Sequence, residues 1–144
     1  VVPVCHPARL PLRREAGRWQ SPSDLLDEPL MYHTSAPASW QRRLQGAGVT
    51  DARPVLANGF DQVSILIQGA IADLGLAVLQ RCLVRDELAA GRLAAPFDMP
   101  ILLPRGHYLC APLQRRDHPA LETFRAWLLE LGRSERTLLM PPAA

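Results

Sequence analysis

The chain has 144 residues, 48% of them hydrophobic and 21% charged, with a net charge of +2. That length is one ordinary domain, able to bury roughly 70% of the surface its unfolded chain exposes. The composition excludes disorder, and so small a net charge without clustering argues against a strong polyanion-binding surface. All sixteen basic residues are arginine, which reads as coding bias more than as a demand for guanidinium geometry.

In chain order, "VVPVC" opens as a β-branched strand with no turn or cap before it, like the interior of a longer protein. Pro7, Pro11 and the charged "RREAGRWQSPS" predict a loop, followed by a short helix around "SDLLDE" with Ser23 as N-cap. "LMYHT" is the second strand. "ASWQRRLQGAG" is a helix with Trp40 and Leu44 on one face and the glycines of "GAG" at its end. "RPVLAN" is the third strand. In the next helix Val63, Leu66, Ile67, Ala70, Ile71 and Leu74 recur at helical spacing, and Gly75 is the expected left-handed stop. "LAVL" has no polar position, as a strand covered on both faces should. "CLVRDELAAG" is another helix, "RLAAPFDMPI" an extended connection, and "HYLCAPL" a last strand. The final helix starts near Asp117, His118 and Pro119, with Glu122 set against the dipole. Phe124, Trp127, Leu128 and Leu131 make its apolar face, and Gly132 ends it, before a mobile tail. Strand and helix alternate across short loops, so the class is α/β with a mostly parallel sheet.

Chemistry-bearing motifs are scarce. There is no GxSxG, HExxH, Walker A or GxGxxG motif. Cys5, Cys82 and Cys110 form no CxxC pair and are odd in number, which suits a reducing cytoplasm and indicates neither a disulfide framework nor a zinc site. Cys5 and His6 are adjacent in a strand and so point to opposite faces. His6, His33, His107 and His118 read as strand-end or cap residues. The arginine doublets 13–14, 42–43 and 115–116 lack interleaved aromatics, which weakens a nucleic-acid reading. No apolar stretch approaches the ~20 residues that span a bilayer, and no export signal opens the chain. We therefore expect no metal, no cofactor and no membrane partner.

What remains is the loops at the carboxyl ends of parallel strands, where open α/β sheets place ligands. "HTSAPAS" and "ANGFDQ" both lie beside a helix N-terminus whose free amides attract an anion. Thr34, Ser35, Asn58, Gly59, Phe60 and Asp61 are the candidate ligand-binding residues. Helix capping explains Ser35, Ser39 and Asp61 equally well.

Several of these segments, in order, carry a resemblance: "VVPVCHPARL", "DLLDEPLMYH", Trp40 before "GAG", the long block from "NGFDQV" to "LAAPF", "HYLCAP" and "HPALETFRAWLLEL". From Val1 to about Leu131 the chain resembles the effector-binding region of LysR-type transcriptional regulators, in particular the glycine-cleavage-regulator branch. The resemblance implies a fold like a type II periplasmic binding protein, with a small metabolite held between two lobes. Residues 1–96 would be the second lobe. Residues 97–132 would return across a hinge at Pro96, Phe97 and Asp98 to add a strand and the C-terminal helix to the first lobe, with 133–144 a flexible tail. The family's winged helix-turn-helix and most of the first lobe fall outside these residues, so DNA contact would be made only through that missing part. A second tryptophan, three residues after Trp40, is replaced by Arg43.

The function so implied is non-enzymatic and cytoplasmic. It is an effector-sensing fragment that binds a small anionic metabolite and self-associates, with Phe124, Trp127 and Leu128 covered by the second lobe or by another copy of the chain, a dimer being the expected outcome. The alternatives are a stand-alone binding module of periplasmic-binding-protein type, or a thiol enzyme using Cys5 or Cys110.

Overall fold

The computed structural model describes residues 1–97 and 108–139. The chain divides into two compact units, Val1–Leu102 and Leu103–Ala144. The first is built on a four-stranded sheet of β1 (Val2–Val4), β2 (Leu30–His33), β3 (Leu56–Phe60) and β4 (Leu76–Leu79), in the order β1-β4-β2-β3. β2 runs parallel to both β3 and β4, and β1 is antiparallel to β4. Four helices accompany it: α1 (Arg9–Glu15), α2 (Ser39–Gly46), α3 (Val63–Ile71) and α4 (Arg81–Ala89).

The all-apolar β4 is explained by cover on both faces. Leu76 and Val78 pack with Trp40 of α2, whereas Ala77 and Leu79 pack with Leu66 and Ala70 of α3. Successive side chains of a strand point to opposite faces, so one four-residue strand joins two cores. The α3 stripe follows the sequence pattern, with Leu66 and Ala70 buried and Val63, Ile67 and Ile71 packed against the same core. Burying one such leucine is worth roughly 1.5–3 kcal/mol.

Leu74 departs from that stripe and is 52% exposed, because α3 stops at Ile71 and the chain turns away. The left-handed residue of this turn is Asp73, at φ 61°, not Gly75. Leu74 N–H donates to Gly69 O at 3.0 Å and so closes the helix end. Gly75 is needed for a different reason. A Cβ there would lie 2.4 Å from the carbonyl oxygen of Pro29, the same oxygen that accepts from Leu76 N–H at 2.8 Å and seats β4 beside β2.

The predicted loop at 9–15 is instead α1. Pro11 stands third in its first turn, where an amide has no helical acceptor anyway, so the ring costs the helix no hydrogen bond. The next helix, a 3-10 segment at Pro22–Asp27, takes Ser21 and not Ser23 as N-cap. The third strand also lies later than "RPVLAN": Asn58, Gly59 and Phe60 belong to β3 itself, paired with β2 through Tyr32↔Gly59 and His33↔Phe60. An "NG" pair signals a turn in isolation, but here β2 supplies a parallel partner that holds it extended.

In the second unit, Tyr108–Pro112 is irregular where a strand is expected, and no ladder partner is present among the described residues. A 3-10 turn at Leu113–Arg115 leads to α5 (Pro119–Leu139). Its start is as the sequence suggests, with Pro119 first and His118 Nδ1 accepting from Ala120 N–H at 3.3 Å. Its end is not, since α5 continues through Gly132. An interior glycine costs a helix only about 1 kcal/mol relative to alanine, less than the flanking good formers supply.

Candidate functional site

The loops after β2 and β3 meet at the carboxyl ends of those strands. Thr34 N–H donates to Phe60 O at 2.9 Å, which extends the β2–β3 pairing by one step and holds the two loops side by side. Thr34, Ser35 and Asp61 are exposed there, and Phe60 is half-buried against the α3 core. Asn58 is an exposed position on β3, the end strand of the sheet order. Gly59 is exposed, and a Cβ there would lie 2.6 Å from Cζ of the Tyr32 side chain, whose outer ring would have to shift. Of the six predicted residues, Thr34, Ser35 and Asp61 lie in the two loops with Phe60, the last residue of β3, beside them, while Asn58 and Gly59 lie earlier in that strand.

Capping does not account for the polar residues. The N-cap of α2 is Ala38 and that of α3 is Gln62, and neither makes a side-chain capping bond. Ser39 is the first residue of α2, with its hydroxyl donating to Ala36 O at 2.7 Å. Ser35 and Asp61 therefore stand at the site without a helix to terminate. His33, read from sequence only as a strand-end residue, organises the loop. Its Nδ1 accepts from Ser35 N–H at 3.2 Å and lies 2.8 Å from Ser35 Oγ. A backbone amide can only donate, so Nδ1 carries no proton here and the hydroxyl proton of Ser35 also points to it. Among the described residues, no hydrogen bond or ion pair engages the Asn58 or Asp61 side chains.

The proposed hinge residues behave as part of the first unit. Ala94 and Cys5 exchange both backbone hydrogen bonds at 2.9 Å, Pro96 is buried, and Phe97 packs against the Trp40 cluster. Asp98 lies outside the described residues. Cys5 is buried, and burial pushes its thiol up to about 12 against the smaller opposing pull of Arg9. A nucleophilic cysteine needs the opposite shift. Cys82 and Cys110 are exposed. Among the described residues no three His, Cys, Asp or Glu side chains are grouped to hold a metal ion. A cavity of about 380 Å3 lies elsewhere, lined by Gly17, Arg18, Gln20, Ser21, Asp24, Asp27 and Glu28. Its Asp24 carboxylate is taken up by the backbone amides of Gln20 and Ser21, both at 2.8 Å.

Residues 1–133 match the model of the LysR substrate binding domain. The chain belongs to that family. It is 40% identical over 87 residues to the HTH-type transcriptional regulator TrpI of Pseudomonas aeruginosa, covering 60% of this chain and 30% of TrpI. It is 33% identical over 119 residues to the transcriptional activator AmpR of Citrobacter koseri, covering 81% and 40%. With the glycine cleavage system transcriptional activator of Escherichia coli K12 it shares 24% identity over 136 residues, covering 94% and 43%. The chain thus spans less than half the length of these relatives.

The effector domain of AmpR from Pseudomonas aeruginosa superposes with a TM-score of 0.66 at 23% identity, covering 93% of this chain and 61% of that one. The effector-binding domain of Citrobacter freundii AmpR gives 0.60 at 22% identity, covering 90% and 62%. These likenesses carry the fold: an α/β fold like that of the AmpR effector-binding domains, of the type II periplasmic-binding-protein kind, with a mixed but mostly parallel sheet. The relatives named above are transcriptional regulators. No helix among the described residues is long and apolar enough to cross a membrane.

Proposed function

We propose that this chain is the effector-sensing part of a LysR-type transcriptional regulator. It binds a small metabolite through the loops after β2 and β3 and transmits that binding to a DNA-binding domain outside these 144 residues. The observation that carries the reading is that Ser35 and Asp61, which cap no helix, are brought to the same sheet end by the Thr34–Phe60 hydrogen bond. The amides opening α2 and α3 favour an anionic group on the ligand. The Asp61 carboxylate beside them favours a donor next to that group, as in an amino acid. Asn58 on β3 contacts the same ligand from the strand.

Pro96 and Phe97, with Asp98, form the hinge by which ligand binding shifts the closure of this lobe on a first lobe, and that shift is the signal. No cofactor, metal or catalytic step enters this function, and its place is the cytoplasm. Phe124, Trp127, Leu128 and Leu131 of α5 are exposed, and in this chain by itself a second copy covers them. A thermal-shift screen of small carboxylates and amino acids tests the ligand reading. It stands if a hit loses its shift in Asn58→Ala and Ser35→Ala, and falls if every hit survives both substitutions. Light scattering that finds only a monomer removes the dimer.

A further inference from the structure

His33 Nδ1 accepts from two groups of Ser35, the backbone amide at 3.2 Å and the hydroxyl at 2.8 Å. The amide contact is a local turn that recurs in the chain. His6 Nδ1 accepts from Ala8 N–H at 3.2 Å, and His118 Nδ1 from Ala120 N–H at 3.3 Å. Of these turns, the one at His33 adds a hydroxyl to the amide and stands at the loops after β2 and β3.

A ring nitrogen that accepts from an amide carries no proton, so neutral His33 holds its proton on Nε2. Ser35 then has its one hydroxyl proton committed to Nδ1, and towards any other group its oxygen can only accept. A ligand meets that hydroxyl as an acceptor, which suits an ammonium and not a carboxylate.

Protonation of His33 reverses these roles. Nδ1 gains a hydrogen and donates it to Ser35 Oγ, and the hydroxyl proton is released. The Ser35 amide loses its acceptor in the same step, because Nδ1 no longer has a lone pair to offer. One added proton converts Ser35 from an acceptor into a pair of donors beside an imidazolium charge. Hydrogen bonds from such a set to a carboxylate are of the strong, charge-assisted kind.

His33 shares the face of β2 that bears Met31, two residues before it, and its register partner on β3 is Phe60. α3, which packs on that face, has no titratable side chain, and neither has β3 or β4. Asp61 follows Phe60 directly, and Arg81 stands two residues beyond β4. Arg42 and Arg43 lie on α2, whose Trp40 packs with Leu30 and Tyr32 on the other face. Asp61 is therefore the acid that the strands bring nearest to His33.

We propose, on the reading that the loops after β2 and β3 hold the ligand, that the charge on His33 selects which end of a ligand Ser35 takes. Neutral His33 turns Ser35 to an ammonium group, and protonated His33 turns it to a carboxylate. Histidine changes charge between about pH 5 and 8. Mild acidification thus alters the preference of the site while the backbone bond from Thr34 to Phe60 keeps the loops together.

NMR of the isotope-labelled chain, following imidazole nitrogens and backbone amides between about pH 5.5 and 8, tests this. The neutral His33 ring should show a bare Nδ1, and the Ser35 amide should shift along the His33 titration curve. His33→Gln should abolish that shift at Ser35 and leave those at Ala8 and Ala120. Acetate and ethylammonium are the ligand probes, read at the Ser35 and Asp61 amides. Acetate should bind roughly tenfold more tightly at the acid end, the effect of one hydrogen bond to a charged group. Ethylammonium should prefer the alkaline end, and both preferences should vanish in His33→Gln. Ser35→Ala, a change at an exposed position, should keep the titrating amide and lose the ethylammonium response. A proton on Nδ1 of the neutral ring, a Ser35 amide indifferent to the His33 titration, or acetate bound equally at both ends overturns the proposal. In the last case the loops bind and His33 does not select. If neither probe moves the Ser35 or Asp61 amide at any pH, the loop site itself fails, and the proposal fails with it.

Discussion

Thr34 N–H and Phe60 O are hydrogen-bonded at 2.9 Å, one residue beyond the last register pair of β2 and β3, His33 and Phe60. Backbone, not side chain, thus fixes the distance between the two candidate loops, and loop side chains can be changed without separating them. Ser35→Ala removes only the hydroxyl held by His33 Nδ1. Affinity for a carboxylate or amino-acid hit should fall roughly tenfold, the worth of one hydrogen bond to a charged group, with stability changed by less than about 1 kcal/mol. Titration calorimetry checks the first part and urea unfolding the second. Unchanged affinity would move the ligand away from Ser35.

Gly75 and Pro29 make a second close pair, since the Pro29 oxygen occupies the space of a Gly75 Cβ and bonds Leu76 N–H. Gly75→Ala must push β4 away from the chain segment leading into β2. A loss of roughly 2–4 kcal/mol is expected, as for overpacking that also strains a ladder hydrogen bond. Gly48→Ala is the control, because nothing lies within 4 Å of its Cβ position and only its positive φ of 86° is strained. If the two substitutions cost the same, the steric account of Gly75 is wrong.

These two pairs also show what could be read from the residues alone. The burial of β4 on both faces and the stripe of α3 were legible because each depends on a local period that any partner must match. The boundary of β3 was not, because whether "ANGF" turns or extends is decided by Tyr32 and His33, more than twenty residues earlier. Nor was α1, where Pro11 reads as a breaker unless its place in the first turn is known. At the candidate site, Ser35 and Asp61 were legible as polar residues near helix starts. Only the actual N-caps, Ala38 and Gln62, decide that they are not caps. Arg43 reads from sequence as half of a basic doublet, and its burial depends on how α2 lies on the sheet.

Glu28 is buried, with its carboxylate bridging Arg9 Nη1 at 2.8 Å and Arg13 Nε at 2.7 Å. Arg9 also pairs with Asp73 and donates to the Asp73 carbonyl at 3.0 Å, tying α1 to the end of α3. Glu28→Gln leaves two guanidinium groups without their shared acid, and about 3 kcal/mol of stability should be lost. Arg13 is partly exposed, so Arg13→Met should cost under about 1 kcal/mol. A larger loss from Arg13 than from Glu28 would contradict the arrangement.

The three cysteines should label in two classes. Cys82 and Cys110 are exposed, whereas Cys5 is buried in the core with its thiol pushed up to about 12. Alkylation at pH 8 followed by mass spectrometry should add two labels quickly to the folded chain and the third only on unfolding. Fast labelling of Cys5 in the folded state would revive a nucleophilic role for it.

Asp24 gives the chain an acid limb. Hydrogen bonds from the Ser21 amide, the Ser21 hydroxyl and the Gln20 amide favour its charged form and hold its pKa below the ordinary carboxylate value, against a smaller opposing effect of burial. The folded pKa is thus lower than the unfolded one. The stabilisation is complete above the unfolded value of about 3.9 and is lost as pH falls through the folded value. Asp24→Asn removes the charge, so the difference in unfolding free energy between the two chains should be constant from pH 6 to 8. It should shrink toward zero as pH drops below about 4. Urea unfolding at a series of pH values reads this directly, and a difference that stays the same down to pH 3 would show that the carboxylate acts through its shape and not its charge.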